Sequence, residues 1–181
     1  MTSQLDHGPT VPRRVQLGFQ LHLPVIHGAA EPAQADPFLL ESELYRLIRS
    51  HPEQQRDRLE WDSDLQRVAR LRVADMRDRQ YIAHTNPDGD GPNMVLLANG
   101  VAIPAWYDHA RDANNVESLR LGPDDAADAL AAFVASPHHR AHILGENDFW
   151  QGQKRIGIGC GPDWNTPTQQ WIFVIISLHP A

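Results

Sequence analysis

The chain of 181 residues has one cysteine, Cys160, and few aromatic residues, which make up 7% of the sequence. A single cysteine excludes any disulfide within the chain, although many exported proteins also lack disulfides. The stability of the fold must therefore come from a packed core. Because 41% of the residues are hydrophobic, we expect such a core without a structural metal. The length suits one domain with an extension.

Positive charge and long hydrophobic runs are also scarce. Sixteen Lys and Arg stand against 23 Asp and Glu, which gives a formal net charge of −7. A nucleic-acid-binding domain has a basic patch or stripe, so this balance argues against a nucleic-acid partner. Spanning a bilayer takes about 20 apolar residues, whereas the longest apolar run here, residues 171–176, has the length of a strand. We therefore expect no transmembrane segment.

The first residues do not show the pattern of a signal peptide. Residues 1–8 are polar, and prolines and charged residues interrupt residues 11–26. Either the protein is not exported by this route or its leader has been removed. Apolar residues alternate with polar ones from Val15 to Leu23, which predicts one strand. We therefore divide the chain into an N-terminal arm or linker, residues 1–35, and a main domain, residues 36–181.

Capping residues and apolar spacing predict helices in the first part of the main domain and strands at its end. The predicted helices begin at Pro37, Trp61, Pro92, Pro123 and Ser136. The polar face of the second helix carries Arg and Asp, and we expect it to face solvent. The predicted strands cover residues 154–161, where glycines alternate with larger residues, and residues 169–178. Helices followed by strands indicate an α+β fold with an antiparallel sheet.

Six short motifs occur in a fixed order along the main domain. They are Leu59-Glu60-Trp61-Asp62, His84-Thr85-Asn86-Pro87-Asp88-Gly89, Asn115-Val116, Phe133 three residues before Ser136-Pro137-His138-His139-Arg140, Ile156-Gly157-Ile158-Gly159, and an aromatic last strand. Each motif alone is weak, but the whole series is specific. Over about residues 40–179 the chain resembles the bacterial branch of the CAP superfamily. These domains are also called SCP-like, or cysteine-rich secretory protein, antigen 5 and pathogenesis-related domains.

The resemblance implies an α-β-α sandwich, in which helices cover both faces of a small antiparallel sheet. It also implies a secreted bacterial protein that works outside the cell or in the cell envelope. Many members of the family have a cleft lined by two His and two Glu, which can hold a divalent metal.

Matched residue by residue, His84 and His139 occupy the two histidine positions of that cleft. Asn114 takes the first Glu position, and Glu117, three residues further on, can substitute for it. The second Glu position falls near Ser136, where the sequence has no acid. The resemblance thus implies a ligand-binding set of His84, Asn114, Glu117 and His139, with His84 and His139 as the metal ligands. Since a ligand is missing, we favour no tight metal binding over a bound Zn²⁺ or another divalent cation.

His84, Glu117 and His139 are also the candidate catalytic residues. Two imidazoles and one carboxylate suffice for a catalytic zinc that keeps a position for water. Without a metal, either imidazole can act as a general base oriented by Glu117. The structural alternative is that His84 satisfies carbonyls of its loop and Glu117 caps backbone amides. For His138 and His142 we favour a solvated helix face over a metal pair.

Three functions remain open, and the sequence leaves undecided whether the protein is an enzyme. The favoured one is a binding module whose cleft takes a small molecule, a lipid, or a peptide or cell-wall ligand. The second is a metal-assisted or His/Glu-dependent hydrolase of peptide or cell-wall material. The third is an interaction domain with a vestigial cleft, whose arm docks a partner or a second copy. No Gly-x-Ser-x-Gly elbow occurs and Cys160 lies in an alternating strand that favours burial, so no nucleophile stands out.

Overall fold

The computed structural model describes residues 35–122, 125–163 and 170–180. The predicted arm, apart from residue 35, and the predicted helix start at Pro123 lie outside the described residues. The helices are α1 (Pro37–Arg49), α2 (Ser63–Asp78), α3 (Pro92–Ala98), α4 (Ala126–Val134), α5 (Pro137–Leu144) and α6 (Asp148–Gly152). The strands are β1 (Glu60–Trp61), β2 (Glu117–Gly122), β3 (Arg155–Pro162) and β4 (Trp171–Leu178).

The helix ends lie where side-chain caps and a glycine require them. The carboxylate of Asp36 accepts a hydrogen bond of 2.9 Å from the Phe38 amide at the start of α1. The carboxylate of Asp62 accepts from two amides in the first turn of α2. At the end of α5, Gly145 has φ = 70°, in the left-handed region that favours glycine. None of the described helices combines the length and the apolar character needed to cross a bilayer.

Within the described residues, the strands form one sheet in the order β1-β3-β4-β2. The central strand β4 pairs antiparallel with both β3 and β2, as the predicted antiparallel sheet requires. The two residues of β1 differ from that prediction, because they pair in parallel with β3. The sheet therefore has two distinct edges: β2, which begins with Glu117, and β1, which ends at Trp61.

The sequence prediction missed β1, β2 and α6. Two of these elements, β1 and α6, are only two and five residues long, too short for a periodic pattern. In β2, Glu117 and Ser118 are both buried. The strand thus lacks the alternation of apolar and polar residues by which strands are recognised.

Helices cover both faces of the sheet, which confirms the predicted α-β-α sandwich. The helices α1, α4 and α5 pack on the face that carries Ile156 and Phe173, and α2 and α3 pack on the face that carries Val174. The helix α2 packs closely on the glycines of β3, because a Cβ atom on Gly159 would lie 2.5 Å from the backbone of Ala69. Glycine is therefore required in β3 for α2 to pack this closely.

Candidate functional site

Glu117, the first residue of β2, has a fully buried side chain on the face of the sheet covered by α2. Its partner is Arg72 of α2. The Arg72 guanidinium donates from Nε to Oε2 at 2.9 Å and from Nη2 to Oε1 at 3.3 Å. Charge-assisted hydrogen bonds are stronger than neutral ones, and a buried charge needs such a partner. The ion pair therefore fixes the carboxylate inside the domain.

Arg72 contradicts the prediction that the Arg and Asp face of α2 is solvated, since its side chain is only 2% exposed. The physical reason lies in its spacing, which places it on the apolar stripe of the helix. The buried residues of α2 are Leu65, Val68, Ala69, Arg72, Val73 and Met76. A charged residue in register with an apolar stripe is therefore the signal in the sequence that indicates a buried ion pair.

The remaining donors of Arg72 bind the segment that follows α2. They contact the Tyr81 hydroxyl at 2.8 Å and the carbonyls of Ala83 and His84 at 3.0 and 2.7 Å. The Tyr81 hydroxyl donates in turn to the Asp75 carboxylate. The pKa of Tyr81 is raised to about 12, mainly by burial and secondly by this hydrogen bond. The hydroxyl therefore keeps its proton. One arginine therefore positions both Glu117 and the backbone that carries His84.

His84 connects the buried carboxylate to the surface. Its Nδ1 lies 2.9 Å from Glu117 Oε1, and its side chain is 40% exposed. When Nδ1–H donates to the carboxylate, Nε2 of the neutral ring is the acceptor. Glu117 thus selects one tautomer of His84 and leaves Nε2 for contacts outside the pair.

Asn114, which the family resemblance places at the first Glu position, forms the turn that leads into β2. Its side-chain oxygen accepts from the amides of Val116 at 3.2 Å and Glu117 at 2.8 Å, and its NH₂ donates to the Glu117 carbonyl at 3.1 Å. The side chain of Asn114 is therefore occupied by the backbone of Glu117. It sets the position at which β2 begins.

His139, in the first turn of α5, is half-buried beside Phe133, with the ring centroids 5.4 Å apart. Its Nδ1 is buried and has no hydrogen-bond partner within the described residues. Burial lowers the pKa of His139, and the charges of His84, Arg120 and His138 lower it further. The ring is therefore neutral at neutral pH, and His84 lies within its electrostatic range.

The residues of this cluster fit a metal poorly. A zinc site usually has three or four protein ligands from His, Cys and carboxylates. Both oxygens of Glu117 are already bound to Arg72 and His84, so a cation on this carboxylate would lie beside a guanidinium and be repelled. Among the residues that the structure describes, no group of three or more His, Cys, Asp or Glu is arranged to hold a metal. The metal pair of His84 and His139 stays a prediction.

A second buried polar network surrounds His142 of α5 on the opposite face of the sheet. His142 is 2% exposed, with Nδ1 2.7 Å from Ser118 Oγ and Nε2 2.5 Å from Ser177 Oγ. The prediction of a solvated position is wrong for His142, because α5 turns this side chain toward the sheet, whereas His138 is exposed as expected. The pKa of His142 lies well below its ordinary value, mainly because of burial and secondly because of the charge of Arg56.

This network continues through the core to the end of the last strand. The Ser177 hydroxyl donates to Gln153 Oε1 at 2.6 Å, Gln153 Nε2 donates to the Tyr107 hydroxyl at 2.8 Å, and this hydroxyl lies 2.6 Å from His179 Nδ1. Because Ser177 gives its single proton to Gln153, it must accept from Nε2–H of His142. The neutral ring of His142 thus has one fixed tautomer, and sequence reasoning assigned no such role to any of these residues.

Three solved structures show a similar fold. An extracellular protein containing a SCP domain from Bacillus anthracis has a TM-score of 0.57 and 18% identity, over 77% of this chain and 41% of that chain. An outer surface protein from Borrelia burgdorferi has a TM-score of 0.52 and 21% identity, over 79% and 92%. A cysteine-rich secretory protein from Staphylococcus aureus has a TM-score of 0.52 and 13% identity, over 80% and 40%. The chain spans about two fifths of the Bacillus and Staphylococcus proteins.

A comparison with curated protein sequences returns no match. By contrast, residues 44–176, which are most of the chain, match the CAP family, described as the cysteine-rich secretory protein family. The order of the helices, the sheet between them and the similar solved structures agree with this match. The chain therefore belongs to the CAP family of cysteine-rich secretory proteins.

Proposed function

We propose that this CAP domain binds a polar ligand through the imidazoles of His84 and His139, with Glu117 and Arg72 holding His84 in place. The observation that carries this proposal is the contact of 2.9 Å between His84 Nδ1 and the buried Glu117 Oε1. A ring held in this way presents Nε2 in a defined direction, and a rigid group binds a ligand at a lower entropic cost. The complementary ligand has hydroxyl or amide N–H donors.

His139 supports the proposal as a second, neutral ring. Its buried Nδ1 has no partner within the described part of the chain, and an unpaired buried polar atom is costly. The lowered pKa of His139 keeps the ring uncharged beside His84 at neutral pH. A ligand that hydrogen-bonds to both rings would offset that cost.

The proposed site works without a metal ion. Arg72 already supplies the positive charge that Glu117 needs in the interior. A divalent cation would have to compete with this guanidinium for the same carboxylate, and only the two imidazoles would remain as further ligands.

We also propose that the domain acts outside the cell or in the cell envelope. One similar structure is named an extracellular protein and another an outer surface protein. These names support the location without identifying the ligand, which we expect to be a small molecule, a lipid, or a peptide or cell-wall component.

An NMR titration tests the binding proposal by following the imidazole Cε1–H signals of His84 and His139. The probes are chitotriose and tri-alanine, because both carry hydroxyl or amide donors. We expect saturable shifts of both signals with at least one probe and their loss in His84→Ala. The matched control is His138→Ala, an exposed neighbour of His139, which should bind as the wild type does. Binding that persists in His84→Ala, or no shift with either probe, would contradict the proposal.

Calorimetric titration with zinc tests the metal alternative on the wild type and on His139→Ala. We expect no stoichiometric heat from either protein. Zinc binding by the wild type that disappears in His139→Ala would instead establish a metal site.

The contact between His84 and Glu117 also favours a second function, hydrolysis with His84 as a general base. A carboxylate bonded to one imidazole nitrogen orients the ring and stabilises its protonated form. A panel of peptide and cell-wall substrates should be assayed with the wild type, His84→Ala and Glu117→Gln. Turnover abolished by the first variant and reduced by the second would establish this enzyme. Without turnover and without probe binding, the interaction domain with a vestigial cleft is the remaining hypothesis.

A further inference from the structure

A cavity lies at the opposite edge of the sheet from Glu117. Its volume is about 510 Å³, within the range of small-molecule sites. Its walls come from the end of α1, the segment that follows it and the edge strand β1. Among the residues that line it are Tyr45, Arg49, Arg56, Arg58 and Trp61.

The charges on the wall of this cavity leave an excess of positive charge. Arg58 forms a salt bridge with Glu60, and Asp57 is bound at 2.7 Å to Lys154. These two pairs neutralise both carboxylates of the wall. Arg49 and Arg56 form no salt bridge within the residues that the structure describes. Two arginines without a carboxylate partner in the described part of the chain thus line one cavity, in a protein whose formal net charge is −7.

Arg56 is a fixed, buried source of that charge, since the residue is only 7% exposed. Its donors bind the carbonyls of His142, Ile143 and Trp150 at 2.5, 2.8 and 2.9 Å. Burial lowers the pKa of Arg56 to about 10. A buried cation with no anionic partner is unfavourable, so an anion in the adjacent cavity would stabilise it.

Arg49 supplies the group that can reach a ligand. It is the last residue of α1 and is exposed. A guanidinium presents its donors in a planar fork that matches a carboxylate or a phosphate. The residues that line the cavity therefore include one buried arginine and one exposed arginine.

Two aromatic residues, Tyr45 and Trp61, line the cavity together with Leu59. Tyr45 and Trp61 pack edge to face, with centroids 5.1 Å apart. The Tyr45 hydroxyl donates to the Leu59 carbonyl at 3.0 Å, which restrains its ring. Rings held rigidly in this way offer a surface for the apolar face of a small cyclic ligand.

We propose that this cavity binds an anionic sugar, whose carboxylate or phosphate contacts Arg49 and whose ring packs against Tyr45 and Trp61. The hydroxyls of the sugar find acceptors in the carboxylates of Asp57 and Glu60, which line the same cavity. The site lies at the β1 edge, whereas Glu117 lies at the β2 edge. It is therefore independent of the site that we propose at His84 and His139.

NMR titration with three probes tests this proposal through the indole N–H signal of Trp61, assigned from Trp61→Phe. The probes are glucuronate, glucose 6-phosphate and glucose, which share a ring and differ in the anionic group. We expect a saturable shift with glucuronate, with glucose 6-phosphate or with both, and a much weaker response to glucose. The probe that binds more tightly shows whether the site prefers a carboxylate or a phosphate.

The variant Arg49→Gln should weaken binding of the anionic sugar by about tenfold, because it removes a charge-assisted hydrogen bond. Arg46→Gln is the matched control, since Arg46 lies one turn earlier on α1, is paired with Glu43 and does not line the cavity. Thermal unfolding should be similar for both variants, as both residues are exposed. The proposal is wrong if no anionic probe shifts the Trp61 signal, if glucose binds equally well, or if both variants weaken binding equally.

Discussion

Glu117 and Ser118 are neighbours on β2, yet their side chains lie on opposite faces of the sheet. One belongs to a charged network and the other to a neutral one. On the α2 side, Glu117 forms an ion pair with Arg72 and contacts the half-exposed ring of His84. On the α5 side, Ser118 meets the fully buried ring of His142. Each residue contacts a histidine, but only His84, the partner of Glu117, reaches the surface.

Under the proposed function, β2 separates the residues that bind a ligand from those that stabilise the core. A buried carboxylate requires a partner charge. The additional hydrogen bond between Glu117 and His84 links this carboxylate to a ring at the surface. The neutral network has no charge to balance, and its hydrogen bonds satisfy both nitrogens of His142. We therefore expect the α2 side to control what the domain binds and the α5 side to control how its core packs.

The largest effect is expected from Arg72→Met, which leaves the Glu117 carboxylate buried without its cation. Loss of one partner of a buried ion pair costs about 3 to 5 kcal/mol. Urea unfolding should show a decrease of that size in the free energy of unfolding. The double variant Arg72→Met with Glu117→Gln should regain part of it, because no buried charge remains.

Arg67→Met is the matched control for this prediction. Arg67 lies on the exposed side of the same helix and pairs with Asp64. Exposed ion pairs contribute at most about 1 kcal/mol. Arg67→Met should therefore lower the free energy of unfolding by no more than that amount. Equal losses for Arg67→Met and Arg72→Met would contradict the distinct role of the buried pair.

A smaller loss is expected on the neutral side, from His142→Leu. This change removes the partner of the buried Ser118 and Ser177 hydroxyls, at a cost of roughly 2 kcal/mol. In a double-mutant cycle, Ser118→Ala should cost less in the His142→Leu background than in the wild type. The exposed control His138→Leu should change the free energy of unfolding by less than about 0.5 kcal/mol. Additive effects of Ser118→Ala and His142→Leu would show that their hydrogen bond contributes nothing.

Most of the fold could be predicted from the sequence, because local signals mark its elements. Asp36 and Asp62 cap their helices, and Gly145 ends another, since these residue types satisfy local backbone groups in any context. In β3, the alternation of glycines with larger residues predicts the strand that the structure contains. By contrast, β2 carries a buried Glu and a buried Ser, whose burial depends on partners far away in sequence.

The candidate site could be predicted only in part for the same reason. Family motifs drew attention to His84, Glu117 and His139, and the structure gives two of them a direct contact. Neither Arg72 nor His142 was recognised, because a polar side chain is buried only when the fold supplies its partners. The helical spacing of Arg72 with its apolar neighbours is the signal in the sequence, whereas the prediction assigns the Arg and Asp residues of α2 to a face in solvent.

The smallest expected effect is a pH dependence of stability that originates on the neutral side. The pKa of His142 in the folded protein lies well below the ordinary value of 6.5, through burial first and the charge of Arg56 second. Below pH 6.5 the unfolded chain therefore binds more protons than the folded one, which favours unfolding. Stability should be complete above pH 6.5 and fall below it, by at most about 1.4 kcal/mol per pH unit for this group.

Urea unfolding at several pH values on either side of 6.5, for the wild type and His142→Leu, measures this contribution. The variant should lose less stability as the pH falls, because it lacks the buried imidazole. A residual slope should remain, since His139 and His179 also have lowered pKa values for which burial is the main cause. An unchanged slope in His142→Leu would mean that protonation of this ring does not limit stability in acid. The contrast between the two sides of β2 would then rest on the ion pair alone.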